Sequence, residues 1–248
     1  MVVLENVTKE YDSSGTGVHS VSLHIEPGSF VSVIGSSGAG KSTLLRCING
    51  MLQVTAGSIL VDGRCVTAAK GRQKKEIQRK IGMIFQNFCL VSETTVLENV
   101  LNARLYEYPF WRMMTGCFPH EARREAMECL DQVGLLDKAG QRAALLSGGE
   151  QQRTAIARAL MQHCSLLLAD EPVASLDPVN AEVILALLKK MQQEQGMTII
   201  MNSHNVAQAA EVSDRVIGLR EGKILFDGSP KELDQESLDA IYGKEPVS

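Results

Sequence analysis

The chain opens on short segments in which β-branched and apolar positions alternate with polar ones. Val2–Tyr11, Ser20–Ile25 and Phe30–Ile34 read as strands, punctuated by turn signals at Gly15, Gly17 and Pro27-Gly28. The apolar spacing then becomes helical over Ser42–Gly50. Gly57–Asp62 reads as a strand ending in the turn Asp62-Gly63, and Ile81–Phe85 as another. From about Gln86 to Gln162 strand signals are sparse, and Glu98–Leu105, Glu121–Val133 and Glu150–Gln162 carry helical spacing. Strand character returns in Ser165–Ala169. A helix over Pro178–Gln195 and a strand over Thr198–Asn202 follow.

Strands alternating with helices imply a mainly parallel sheet flanked by helices, so the fold class is α/β. The opening strands have no helices between them and suggest an added N-terminal antiparallel subdomain. The pattern divides one domain, 1–248, into a core over 1–86 and 165–230, an inserted α-helical lobe over 87–164, and a tail over 231–248. Lys244–Ser248 is expected to fray. A length of 248 residues is ample for one large core.

Hydrophobic residues at 44% and charged residues at 22% describe an ordinary soluble domain. The net charge of −4 speaks against a broadly basic nucleic-acid binder, so no nucleic-acid partner is expected. The longest apolar runs, around Leu166–Ala169 and Thr198–Met201, fall far short of the ~20 residues that cross a bilayer. The first residues, M-V-V-L-E-N-V, show no secretory signal. Six scattered cysteines without C-x-x-C spacing point to buried free thiols in a cytoplasmic protein rather than to disulfides or a zinc site.

Three stretches carry chemistry. Gly35-Ser36-Ser37-Gly38-Ala39-Gly40-Lys41-Ser42 fits G-x-x-x-x-G-K-S between a strand and a helix, the context that lets backbone N–H groups curl around phosphates. The helix start Lys41–Leu45, with Thr43 in it, adds its dipole and free N–H groups. Lys41 is expected to reach the β- and γ-phosphates and Ser42 to offer a hydroxyl to Mg²⁺. Leu166–Glu171 reads as a buried parallel strand whose C-terminal end, where open α/β sheets bind ligands, carries two carboxylates. Asp170 would hold Mg²⁺, mostly through its water shell, and Glu171 would orient or deprotonate the attacking water. Ser147-Gly148-Gly149-Glu150 forms a capping box, yet a cap needs no pair of glycines. Gly-Gly beside a helix start permits close approach of a phosphate, here of a nucleotide held by another chain. A chain with both loops reads as half of a two-site ATP-driven machine.

These motifs, in this order, resemble the ATP-binding-cassette (ABC) ATPases, a P-loop NTPase family, over nearly the whole chain. The resemblance implies a head-to-tail homodimer or pseudo-dimer with two ATP molecules between the phosphate loop of one subunit and the Leu146–Arg153 signature of the other. It further implies that Tyr11 stacks on adenine and that Gln86 contacts Mg²⁺ and water. In the same way Asp177, in Ser175-Leu176-Asp177, crosses to the opposite subunit, and His204 contacts the γ-phosphate. The lesser reading of Tyr11 is a strand-end core aromatic, and Asp177-Pro178 also reads as a helix cap. Glu150 departs from the glutamine more usual in the family.

Lys41, Asp170, Glu171 and His204 together make a hydrolytically competent cassette the expectation. No coiled-coil insertion or second cassette favours a soluble DNA- or ribosome-acting relative, so transport is expected, with separate integral-membrane permease subunits and, indirectly, a periplasmic substrate-binding protein. Such a subunit sits on the cytoplasmic face of the bacterial inner membrane. Val96–Leu105, Trp111-Arg112, Gly116, Phe118-Pro119 and Ala169–Pro178 resemble the ATP-binding subunits of phosphonate importers. Phosphite, phosphate or polar amino acids remain alternative cargoes. Phe110, Trp111, Met113, Met114 and Phe118 read as lobe packing or as a face toward membrane subunits. Val96, Leu97, Val100 and Leu101 read either as a docking groove for a permease helix or as lobe core.

Overall fold

The computed structural model describes residues 1–11, 15–109, 116 and 118–243. Phe110, Trp111, Arg112, Met113, Met114 and Lys244–Ser248 lie outside them, as does Cys117, so the expectations placed on those residues go no further. Strands β1 (Val2–Tyr11) and β2 (Gly15–Ile25) pair antiparallel, and β3 (Phe30–Ile34) leads into helix α1 (Lys41–Ile48). β4 (Ala56–Val61) and β5 (Arg64–Cys65) precede α2 (Gly71–Gln78) and β6 (Ile81–Ile84). The lobe helices are α3 (Val96–Leu101), α4 (His120–Gln132) and α5 (Gly148–Met161). Then come β7 (Leu166–Asp170), α6 (Pro178–Gln195), β8 (Thr198–Asn202) and α7 (Val206–Val212). The hairpin β9 (Arg215–Arg220) and β10 (Lys223–Gly228) and helix α8 (Gln235–Tyr242) complete the order.

Two sheets result. A four-stranded antiparallel sheet runs β2-β1-β4-β5, and a six-stranded sheet runs β10-β9-β3-β8-β7-β6, parallel except for the edge strand β10. Of the three opening strands, the first two build the antiparallel subdomain and the third belongs to the parallel sheet. The parallel sheet is covered on both faces, which is why its strands are continuous apolar runs. Val31, Val33, Leu168 and Ile200 face α1 and the antiparallel sheet, in one core with Leu44, Leu45 and Ile48. Their neighbours Phe30, Leu167, Ile199 and Met201 face the other way and join Ile156, Ile184, Leu185 and Leu188 from α5 and α6. The C-terminal segment is no loose extension over Gln235–Tyr242, because Ile241 is fully buried with Ile34 and Val216.

In the lobe the structure shortens one expected helix and decides between two readings of its apolar face. The helix expected over Glu98–Leu105 stops at Leu101, and Asn102–Glu107 tightens into a 3₁₀ segment with Arg104 off helical geometry. Val96, Val100 and Leu101 are fully buried among Leu130, Leu146 and Ile156, so they are lobe core and not a docking groove. Phe118 packs against that core, edge-on to Tyr108. The five described cysteines are free thiols. Cys47, Cys129 and Cys164 are buried, with burial pushing them up to about 11, about 12 and about 11 respectively, whereas Cys65 is half-buried and Cys89 exposed. No helix among the described residues is long and apolar enough to cross a membrane.

The turn that enters α3 hangs on one buried amide. Asn99 Oδ1 accepts the Val91 N–H at 2.8 Å, and Nδ2 donates to Val91 O at 3.1 Å and Thr94 Oγ1 at 2.9 Å. Replacing it removes the shared partner of these groups, a side chain that is itself 1% exposed. Asn99→Leu is expected to lower unfolding free energy by roughly 1–3 kcal/mol in urea titration, and a parental midpoint would show that the turn does not depend on this amide.

Candidate functional site

The loop between β3 and α1 wraps a hollow of about 320 Å³. Gly40, the N-cap of α1, holds φ 102° and makes no side-chain cap, and no acidic residue occupies the first turn. The N–H groups opening α1 are therefore not blocked by a carboxylate, the arrangement that draws an anion. A Cβ at Gly40 would lie 1.9 Å from Gly17 O, so β2 and the loop close together only because residue 40 is glycine. Lys41 is 4% exposed and folds back on its own loop, donating to Gly35 O at 2.7 Å and Ser36 O at 3.0 Å. Burial lowers its pKa, while the nearby carboxylates Glu171 and Asp170 oppose that. An ammonium satisfied by two carbonyls has hydrogen-bonding capacity ready to transfer to a phosphate.

Asp170 ends β7. Its Oδ1 accepts from Ser42 Oγ and from Asn202 Nδ2, each at 2.7 Å, and Arg46 lies 3.8 Å from Oδ2. A carboxylate and a hydroxyl converging at the sheet edge form an all-oxygen set that suits a hard divalent cation such as Mg²⁺. Glu171, the next residue, has φ 54°, uncommon outside glycine and asparagine, and this turns its side chain away from that of Asp170. Its carboxylate is hydrogen-bonded to His204 Nε2. Both line the hollow with Ser37, Gly38, Ala39, Gly40, Ser42 and Thr43. Tyr11 also lines it and is 42% exposed, with its hydroxyl 3.2 Å from Thr43 Oγ1, so this ring is not a core aromatic.

The remaining predicted residues lie elsewhere. Gln86 is exposed beyond β6 and does not line the hollow. Its loop has two successive left-handed residues, Phe88 and Cys89, whose carbonyls accept from Arg158 at 3.0 and 2.6 Å. Ser147 caps α5, with Glu150 Oε2 accepting from Ser147 N at 2.8 Å in a completed capping box. Lys138 Nζ donates to the other Glu150 oxygen and, with Ser147, holds that carboxyl down at about 2. A Cβ at Gly149 would lie 2.6 Å from Asn180 Oδ1, which gives this glycine a role in the contact between α5 and α6. At Gly148 the nearest atom would be Leu176 Cδ2 at 3.5 Å, so that glycine is free of any such packing demand.

Asp177 is exposed and caps α6, accepting from Asn180 N at 3.1 Å and Asn180 Nδ2 at 2.6 Å, bonds that lower its pKa. Asn180 thus joins the signature glycine to the Asp177 cap. Asn180, Asn202, Arg158 and Lys138 all escaped the sequence reading, because each meets a residue at least twelve positions away in sequence, for Asn180 the packed Gly149. The predicted residues fall into two groups, one around the phosphate loop and one around α5 and the start of α6. A second hollow of about 860 Å³, lined by Glu171, His204, Ala174 and Leu176, lies between them.

Comparison with known proteins fits this geometry. The family model for ABC transporters matches residues 18–174. This chain belongs to the ABC transporter family. The phosphonates import ATP-binding protein PhnC of Staphylococcus saprophyticus is 47% identical over 98% of the chain and 95% of that protein. PhnC of Lactobacillus johnsonii is 48% identical over the same shares. Among solved structures, the dimeric post-hydrolysis state of the ATP-binding cassette MJ0796 bound to ADP and Pi superposes with a TM-score of 0.83 at 36% identity, covering 93% of this chain and 99% of that one. CbiO1 of Clostridium perfringens, part of the ABC transporter complex cbiONQ, gives 0.83 at 27% identity, covering 96% and 92%.

The cassette's phosphate loop has no room at residue 40. Gly40→Ala combines a 1.9 Å backbone clash with a left-handed φ and is expected to weaken MgATP binding at least about tenfold by titration calorimetry. Parental affinity in that variant would mean that this loop is not the cradle.

Proposed function

We propose that the chain is the ATP-hydrolysing subunit of a bacterial phosphonate importer. The observation that carries the reading is the convergence of Lys41, Ser42, Glu171 and His204 on one hollow, with Asp170 hydrogen-bonded to Ser42 beside it, in a chain nearly half identical to PhnC proteins along almost its whole length. Two copies arranged head-to-tail bury two ATP molecules, and separate integral-membrane permease subunits, fed by a periplasmic substrate-binding protein, use the closure. The protein then works peripherally, on the cytoplasmic face of the inner membrane. In this division the core is 1–86 with 165–230, the helical lobe 87–164 and the tail 231–248.

The residues take the following parts. Gly35, Ser36, Ser37, Gly38, Ala39, Gly40 and Thr43 hold the phosphates through the loop and helix start, and Lys41 leaves its two carbonyls to meet the β- and γ-phosphates. Ser42, Asp170 and Gln86 hold Mg²⁺, which supplies charge neutralisation on the phosphates when bound. Tyr11 offers its exposed ring to adenine. Glu171 takes the proton of the attacking water, and His204, already hydrogen-bonded to Glu171, reaches the γ-phosphate. Ser147, Gly148, Gly149 and Glu150 present a helix N-terminus to the partner's nucleotide, and Asp177 meets the opposite subunit. Phosphoryl transfer needs positioning and charge more than covalent chemistry, and a closing dimer adds both.

Contact with the permease falls to exposed side chains of the lobe, because Val96, Val100 and Leu101 of the predicted groove are buried and Leu97 is half-buried against them. Val91 is 51% and Leu145 69% exposed, and Ala144 N donates to Ser92 O at 3.1 Å, which holds the two segments side by side. The Gln86 loop leads directly into the first of them.

Glu171→Gln keeps the size of the side chain and removes its basicity. The variant is expected to bind MgATP like the parent, to lose turnover by roughly 10²-fold or more, and to abolish uptake of a phosphonate as sole phosphorus source. Parental turnover would remove Glu171 from the base role. Uptake of other cargo but never of a phosphonate by the parental transporter would overturn the substrate.

A further inference from the structure

Residue 150 faces two opposed electrostatic demands. As the third residue of α5 it closes the capping box, and a carboxylate there complements the positive helix end. If the same helix end receives the partner's phosphates, a bare carboxylate in its first turn repels them. The chain resolves this with a cation from outside the motif. Lys138, at the end of the short 3₁₀ segment Leu136–Lys138, donates to Glu150 Oε1, while Ser147 N–H occupies Oε2. Both oxygens of the carboxylate are engaged, and its charge is paired. The pair is largely shielded from solvent, with side chains 32% and 16% exposed. Its position at the phosphate-facing end of α5 gives it another use.

We infer that Lys138 is a positioning residue of the composite site, which neutralises Glu150 so that the signature helix can accept the partner subunit's ATP. The inference rests on the head-to-tail reading given above. It explains how this chain keeps an acid where the family more often has glutamine. It also makes residues 138 and 150 interdependent. A glutamine at 150 preserves the bond from Ser147 but turns a second donor toward the Lys138 ammonium, whereas glutamine beside an uncharged residue 138 restores a neutral helix start.

The test is ATP-driven dimerisation of the full chain, measured by sedimentation in the Glu171→Gln background so that ATP persists. Lys138→Met is expected to weaken the dimer on the order of tenfold through the unpaired carboxylate. Lys138→Arg is expected to stay within about threefold of the parent, and Lys138→Met with Glu150→Gln to return to about that level. Lys138→Gln serves in place of Lys138→Met if thermal melting shows the latter unfolded. A parental dimer in Lys138→Met, or a double variant as weak as Lys138→Met alone, overturns the inference. Ser147→Arg separates the two levels of the argument. If that bulky charge leaves the dimer intact, the composite-site reading itself fails, and the inference falls with it.

Discussion

Asp170 accepts two hydrogen bonds on one oxygen, and the site depends on that arrangement. Ser42 comes from the first turn of α1 and Asn202 from the end of β8, so a single carboxylate ties α1 to two adjacent strands of the parallel sheet. The strands deliver it there because each is a short apolar run, buried on both faces, that stops at the C-terminal edge where polar residues begin. Core packing fixes the strands, the strands fix Asp170, and Asp170 fixes Ser42. Glu171 is aimed differently by a backbone conformation that few residues other than glycine adopt, which lets two neighbouring carboxylates serve different tasks.

The second group of residues is built just as firmly, yet it is not built against the first. Asn180 meets Gly149 and the Asp177 cap, and the capping box and Lys138 complete the start of α5. Nothing in the fold of one chain calls for Gly148 to lack a side chain. A phosphate cradle open on one side and a helix start satisfied within itself are what two chains in opposite orientation would bring to each other. Arg158 ties the second group to the loop after β6 inside one chain. Its guanidinium grips two carbonyls of the Gln86 loop from the helix that begins with the signature.

Chemistry written in contiguous residues was legible in the sequence. The phosphate loop, the strand ending in Asp170-Glu171 and the signature each occupy fewer than about ten residues, and local periodicity placed them on a loop, a strand and a helix start. Where contacts run through space, the sequence said less. The β9–β10 hairpin is short and has charged ends, and β10 is a half-buried edge whose alternation is weak. Helical spacing picked out Val96, Val100 and Leu101 as an apolar face, but periodicity cannot say whether such a face meets the protein interior or a partner. It meets the interior. The glycine pair was read as room for phosphate, whereas Gly149 answers first to Asn180 and only Gly148 is free of packing.

The central claim is that each nucleotide is enclosed by the phosphate loop of one chain and the signature of the other. Cysteines at Ser37 and Gly148 probe this directly, since residue 37 is exposed on the loop and a Cβ at 148 meets Leu176 and Phe88 at ordinary contact distances of 3.5 and 4.0 Å. With the exposed Cys89 replaced by serine and Glu171→Gln retaining ATP, oxidation is expected to join two chains covalently, and only when MgATP is present. Bonds that form within a single chain, or between chains to the same extent without nucleotide, would contradict the account.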